Sequence, residues 1–258
     1  MTNADNTERR RKMRDMPLTR LLPNMLTLMS LCSGLTAMRF SLQEKWEQAV
    51  LAIVIASVFD ILDGRVARML NITSKFGAEL DSLSDLISFG VAPAFLLYLW
   101  VLQGGHTGLG WAAVLVFVVC AALRLARFNT MLEDHAAPTW AKSYFTGIPT
   151  PGGAGLALLP VFLVLEFGHD VQWPPTMVAF WMIIIGGLMV SRVPTLSLKG
   201  RRVAPIWVAP IMAGVGLLLA ALITNTWLAL SIIGSLYVFS IPYGWLSYKR
   251  RARREVEG

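Results

Sequence analysis

The stretch Asp60-Ile61-Leu62-Asp63-Gly64-Arg65-Val66-Ala67-Arg68 is followed after eight residues by Gly77, after three more by Asp81 and after another three by Asp85. Its reading decides the fold. Apolar runs flank it, Ala49 to Phe59 before and Leu86 to Leu102 after, so the acids lie where two hydrophobic helices approach a membrane surface. Asp60 and Asp63 are three apart and Asp81 and Asp85 four apart, so on helices each pair shares a face. Asn71, Ser74 and Gly77 lie between the pairs and can turn the chain back. Two antiparallel helices then bring Asp60 opposite Asp85 and Asp63 beside Asp81.

An ionised Asp at the centre of a bilayer helix costs roughly 2.5–3.5 kcal/mol on insertion scales, and mutual repulsion adds to this. Arg65 falls on another face from Asp60 and Asp63, so the two arginines do not neutralise four acids. Divalent cations do. Hard carboxylate oxygens with no His or Cys beside them suit Mg²⁺ or Mn²⁺, which are commonly held by a few carboxylates together with substrate phosphates. The cluster therefore points to a phosphate-bearing substrate. Gly64, Ala67 and Gly77 let a ligand lie against the backbone, and Arg68 is placed to pair with phosphate oxygens. Two other readings of the acids are helix-end residues paired with Arg and Lys, and an intramembrane ion-transport site.

Composition places this stretch in an integral membrane protein: 258 residues, 55% apolar, with mean hydropathy +0.57. Eight apolar segments are expected as spans: Leu21 to Phe40, Trp46 to Met69, Asp81 to Gln103, Leu109 to Phe128, a fifth after Gly153 to Glu166, Thr176 to Val193, Val203 to Ile223 and Trp227 to Leu246. The fold class is thus all-α, a polytopic membrane helix bundle. It comprises a basic tail over 1–20, a transmembrane catalytic domain over 21–246 and a second basic tail over 247–258. An even span count puts both termini on one side, and 21 of the 23 Lys and Arg residues fall on that side, leaving only Arg39 and Lys45 opposite. That asymmetry predicts cytoplasmic termini and a cytoplasmic site in the inner membrane. The net charge of +7 is read as topology, not as a nucleic-acid surface.

Smaller features fill in the picture. Cys32 and Cys120 both lie in apolar segments, so no disulfide is expected. Asn24 and Thr27 carry polar groups into the first span, either toward the phosphate-bearing ligand or as caps. Gly152 and Gly155 are expected to permit close helix packing. Arg124 and Arg127, ending an apolar run, read either as positive-inside anchors or as a site for an anion, because a guanidinium binds a carboxylate bidentately.

The pattern D-x2-D-G-x2-A-R-x8-G-x3-D-x3-D resembles the signature of the CDP-alcohol phosphotransferase family, with every fixed position matched. The resemblance implies that Asp60, Asp63 and Asp81 bind two divalent ions together with the cytidine diphosphate. Asp85 also sits at the metal site and is the implied general base, while Gly64, Ala67, Arg68 and Gly77 hold the nucleotide alongside Asp60 and Asp63. Around the signature, Ser82 and Ser84-Asp85-Leu86, with Arg127-Phe128-Asn129 and Gly147-Ile148-Pro149-Thr150-Pro151, are similar to the phosphatidylserine synthase branch. That branch implies CDP-diacylglycerol and L-serine as substrates, phosphatidylserine and CMP as products, and a homodimer in the lipid bilayer. Serine carries a carboxylate, for which Arg124 and Arg127 are the candidate partners. A sister enzyme using glycerol 3-phosphate or inositol, and a cation-coupled transporter, are the alternatives.

Overall fold

The computed structural model describes residues 21–70, 74–104, 108–131, 144–168, 173–191, 194–196 and 208–256. Ten α-helices are described: α1 (Leu22–Leu42), α2 (Trp46–Met69), α3 (Lys75–Asp85), α4 (Ala92–Trp100), α5 (Leu109–Met131), α6 (Thr150–Ala157), α7 (Leu159–Phe167), α8 (Pro175–Val190), α9 (Val208–Thr224) and α10 (Thr226–Val256). The basic tail before Leu21, most of the polar connection after Met131 and the Lys199/Arg201/Arg202 cluster lie outside the described residues.

The chain is an integral membrane protein. Leu22–Leu42, Lys75–Trp100 and Leu109–Thr130 are long and apolar enough to cross a bilayer, and the bent pair α6–α7 adds a fourth span if counted as one. Pro175–Val190, Ala209–Thr224 and Thr226–Ile241 are apolar but shorter. Although α2 has 24 residues, every 18-residue window in it holds at least three of Glu47, Asp60, Asp63, Arg65 and Arg68. The candidate site itself breaks that helix's apolar run.

α1 is the spine of the site. Its buried residues Pro23, Thr27, Ser30, Gly34, Ala37 and Ser41 form a stripe of small side chains at helical spacing, and this stripe packs along α2 and against the α3–α4 helix. Hydrogen bonds run through the stripe. Ser30 Oγ donates to Ala56 O (3.0 Å) of α2, Ser84 Oγ to Thr27 O (3.0 Å) and Ser88 Oγ to Ser30 O (3.1 Å). Such bonds draw helices together where lipid gives no hydrophobic drive between them.

The third span differs from the sequence expectation in two ways. It begins at Lys75, not Asp81, because Ser74 caps it by accepting from Gly77 N–H (2.9 Å). It also passes through a π-helical segment, Leu86–Val91, directly after Asp85, in which Ala92 N–H reaches back five residues to Ile87 O. Pro93 follows and has no N–H to give Phe89 O, so the regular ladder cannot continue through this point. The wider turn buries Ser88, Phe89 and Gly90 against α1 and α5.

A second proline breaks the fifth segment. Pro160 lacks the N–H that would bond Leu156 O, α6 and α7 meet at a bend of 42°, and the freed carbonyl accepts from Trp181 Nε1 of α8 (2.8 Å). α5 and α8 pack closely, Gly186 lying where a Cβ would meet Phe117 Cα at 3.3 Å. The sixth helix stops at Val190, short of Val193, and α10 runs on to Val256 beyond the expected end at Leu246.

Two three-residue strands also depart from the all-helical expectation. β1 (Tyr144–Thr146) pairs antiparallel with β2 (Pro194–Leu196), Phe145 opposite Thr195, and β2 packs on α10. Gly147, at φ +79°, turns β1 into α6 under the end of α8, where a Cβ would lie 2.6 Å from Met189 O. Gly152 fits its expected packing role, with Tyr237 Cε1 3.3 Å from its notional Cβ. Gly155 does not, since no atom lies within 4 Å of that position and the residue faces a cavity.

Candidate active site

α2 delivers Asp60 and Asp63, and α3 delivers Asp81 and Asp85. One carboxylate oxygen from each of Asp60, Asp63 and Asp81 lies within 4.8 Å of the others, and Asp63 is only 5% exposed. Asp85 closes the group from the end of α3, its carboxyl in hydrogen-bonding reach of Asp60. Like charges at this separation repel by about 3–4 kcal/mol per pair at an effective dielectric near 20. Among the described residues no Lys or Arg forms an ion pair within the group, and Arg65 is exposed. An all-oxygen donor set of this size, free of nitrogen and sulfur, fits a hard divalent cation.

The surroundings orient these carboxylates. Thr27 Oγ1 donates to Asp63 Oδ2 (2.7 Å) and also lies 3.1 Å from Pro23 O. The spine thus grips an acid of α2 through Thr27 and, through the Thr27 carbonyl, grips Ser84 beside Asp85. On the far side, Ser82 Oγ donates to Asn129 Oδ1 (3.1 Å) and Asn129 Nδ2 to Glu79 Oε2 (3.4 Å), tying α3 to the end of α5. Asp81 sits between these two anchored positions.

Beside Asp63 and Asp81 opens a cavity of about 170 Å³ lined by Pro23, Asn24, Thr27, Gly64, Ala67, Ser74, Gly77 and Ala78. Gly64, Ala67 and Gly77, singled out in the sequence, thus come together on one wall. At Gly77 a Cβ would stand 3.2 Å from Asn24 Oδ1, so glycine there lets the first span approach. Arg68 folds back over its own helix, Nε donating to Gly64 O (2.8 Å), and its side chain is exposed.

The two arginines of α5 part company. Arg127 spends its fork on the end of α8, donating to Val190 O (2.8 Å) and Ser191 O (3.4 Å). Arg124 lies in electrostatic range of Asp85, with Nη1 bonded to Thr150 Oγ1 and Nε buried without a partner among the described residues. Thr150, quoted in the sequence only as part of the Gly147–Pro151 stretch, and Tyr237, read as a boundary aromatic, which also lies in range of Arg124, were given no site role by sequence reasoning. Only the contact of α10 with the α6 region reveals them, and no local pattern announces that contact.

The sequence model of the family described as CDP-alcohol phosphatidyltransferase matches residues 20–193, two thirds of the chain, and a second, CDP-alcohol phosphatidyltransferase 2, matches residues 206–242. The chain belongs to the CDP-alcohol phosphatidyltransferase family. It is 37% identical over 223 residues to the CDP-diacylglycerol–serine O-phosphatidyltransferase of Mycobacterium leprae, covering 86% of this chain and 74% of that protein. It is 33% identical over 227 residues to the protein of the same name from Helicobacter pylori, covering 88% of this chain and 91% of the relative. The Bacillus subtilis protein of that name matches at 35% over 172 residues, 67% and 88% of the two chains. The match at 20–193 contains all four aspartates and both α5 arginines.

Proposed function

We propose that this CDP-alcohol phosphatidyltransferase transfers the phosphatidyl group of CDP-diacylglycerol to the hydroxyl of L-serine, giving phosphatidylserine and CMP. The observation that carries the reading is the convergence of Asp60, Asp63 and Asp81 beside a cavity walled by the small residues of the signature. The relatives' shared name supports the choice of serine.

In this reading the 170 Å³ cavity, lined in part by Gly64, Ala67 and Gly77, takes the cytidine diphosphate, and Arg68 pairs with its phosphate oxygens. Asp60, Asp63, Asp81 and Asp85 hold two Mg²⁺ or Mn²⁺ ions, and Thr27 keeps Asp63 aimed inward. When bound, those ions offset charge on the diphosphate and on the departing CMP. Asp85 accepts the proton of the serine hydroxyl as its oxygen attacks the β-phosphorus; the new P–O bond forms, the bond to the bridging oxygen breaks, and that oxygen leaves with CMP. Arg124 meets the serine carboxylate, and Arg127 supports it by fixing the end of α5 on α8.

The remaining parts of the reading rest on pattern. The succession of apolar segments in the sequence supports eight spans over 21–246, and the distribution of basic residues supports a cytoplasmic side for both tails, 1–20 and 247–258, and for the site. The family resemblance supports a homodimer.

The test offers L-serine, glycerol 3-phosphate and inositol separately to purified protein with CDP-diacylglycerol and Mg²⁺ or Mn²⁺, and measures CMP. Serine alone is expected to drive release. Arg124→Lys should raise the KM for serine about tenfold, since a point charge replaces a planar fork, and leave that for CDP-diacylglycerol unchanged. Release with glycerol 3-phosphate or inositol but not serine would keep the chemistry and discard the acceptor.

A further inference from the structure

The last helix has no part in the reaction described so far, yet it brings a phenol within electrostatic range of the arginine that also lies in range of Asp85. Tyr237 of α10 lies with its ring over Gly152, 3.3 Å from where a Cβ would stand, and within electrostatic range of the Arg124 guanidinium. Any larger residue at Gly152 would push the ring away from α6. Arg124 is held from the other side by Thr150, which is completely buried. Arg124 of α5 and Thr150 of α6 thus share a hydrogen bond, and Tyr237 of α10 and Asp85 both lie within electrostatic range of the same guanidinium.

Their donors outnumber their acceptors. Arg124 has five N–H donors, and Nε is buried with no partner among the described residues. The Thr150 hydroxyl accepts from Arg124 and keeps its own proton to donate. The phenol of Tyr237 carries an O–H of its own to give. A buried donor without an acceptor costs free energy, and a cluster of them beside apolar walls is arranged for an anionic oxygen arriving from outside. Tyr237 also lines an apolar cavity of about 450 Å³, to which Thr150's chain neighbours Pro149 and Pro151 contribute together with residues such as Ile53, Leu156 and Phe162. Asp85 is itself anionic and repels a second anion, so an arriving carboxylate meets Arg124 where the Thr150 hydroxyl already bonds it.

We infer that Tyr237 and Thr150 complete, with Arg124, the site for the carboxylate of the attacking amino-acid alcohol, so that the last helix sets acceptor selectivity. This rests on the serine reading given above. Held at the carboxylate, the substrate's hydroxyl, two carbons away, is directed back toward Asp85. A lone arginine would bind any small anion; the phenol and the threonine hydroxyl add donors whose directions a planar carboxylate can meet.

The test is kinetic, on the full chain in detergent or bilayer. Tyr237→Phe keeps the ring over Gly152 and removes only the hydroxyl. It should raise the KM for L-serine about tenfold while the KM for CDP-diacylglycerol stays within twofold. The preference for L-serine over serinol, which has a hydroxymethyl group in place of the carboxylate, should fall by the same factor. Thr150→Ser should preserve that preference and Thr150→Val should lower it. An unchanged serine KM and serinol ratio in Tyr237→Phe, or equal rises in both substrates' KM values, would overturn the assignment of Tyr237 while leaving serine as the acceptor. Absence of serine-dependent CMP release from the unaltered protein would overturn the serine reading itself, and this inference with it.

Discussion

Asp81→Asn is expected to lower CMP release at least about a thousandfold, the rate equivalent of roughly 4 kcal/mol of lost transition-state stabilisation. The substitution is nearly isosteric, so its effect isolates charge. Asp81 is one of three residues whose carboxylate oxygens gather within 4.8 Å, and the helix carrying it is anchored on both sides, by Ser82 and Glu79 to Asn129 and by Ser84 to Thr27. These anchors survive the change, so the fold should too. With one carboxylate fewer, the group holds divalent cations more weakly, and titration of Mn²⁺ by electron paramagnetic resonance should show reduced affinity in parallel with the lost rate. Full activity in Asp81→Asn would mean that the acids serve packing or ion passage, not phosphoryl chemistry.

Gly34→Ala should damage the enzyme from a distance. A Cβ at Gly34 would stand 2.6 Å from Ser88 Oγ and 2.7 Å from Ser88 Cα, and because the second is backbone, no rotamer change relieves it. The first span must move away from the π-helical segment, at a cost of about 1–3 kcal/mol for overpacking. For a chain of this size that is a fall of about 2–12 °C in melting temperature. The same movement strains Ser88 to Ser30, Ser84 to Thr27 and Thr27 to Asp63, so activity should fall with stability. Gly187→Ala is the matched control, since nothing lies within 4 Å of its notional Cβ, and it should leave both unchanged. Equal effects of the two would show that helix packing at Gly34 is not what aims the acids.

The acids were legible because their spacing is helical on both sides of one turn, and the structure gathers them as that spacing implies. Gly64, Ala67 and Gly77 were legible for the same reason. The stripe Thr27, Ser30, Gly34, Ala37 and Ser41 was present in the sequence at spacings of three and four, but small polar residues inside an apolar run are easily read as filler, and only Thr27 drew notice. The start of α3 at Lys75 was hidden by the polarity of its first turns, although Ser74 three residues before Gly77 is a capping signal. Pro93 and Pro160 marked the two breaks without saying what would replace the lost bonds: a π-helical turn in one case, the Trp181 indole in the other. The β1–β2 ribbon and the approach of Tyr237 to Arg124 depend on contacts between segments far apart in the chain. Three-residue strands and a single tyrosine in an apolar helix leave no periodic trace of such contacts.

The most direct test of the central claim reconstitutes the purified chain with CDP-diacylglycerol, L-serine and Mn²⁺ and follows phosphatidylserine and CMP together, beside Asp85→Asn. Equimolar formation of the two products by the unaltered protein and neither by the variant is the predicted result. CMP released without phosphatidylserine, or both products formed undiminished by Asp85→Asn, would contradict it.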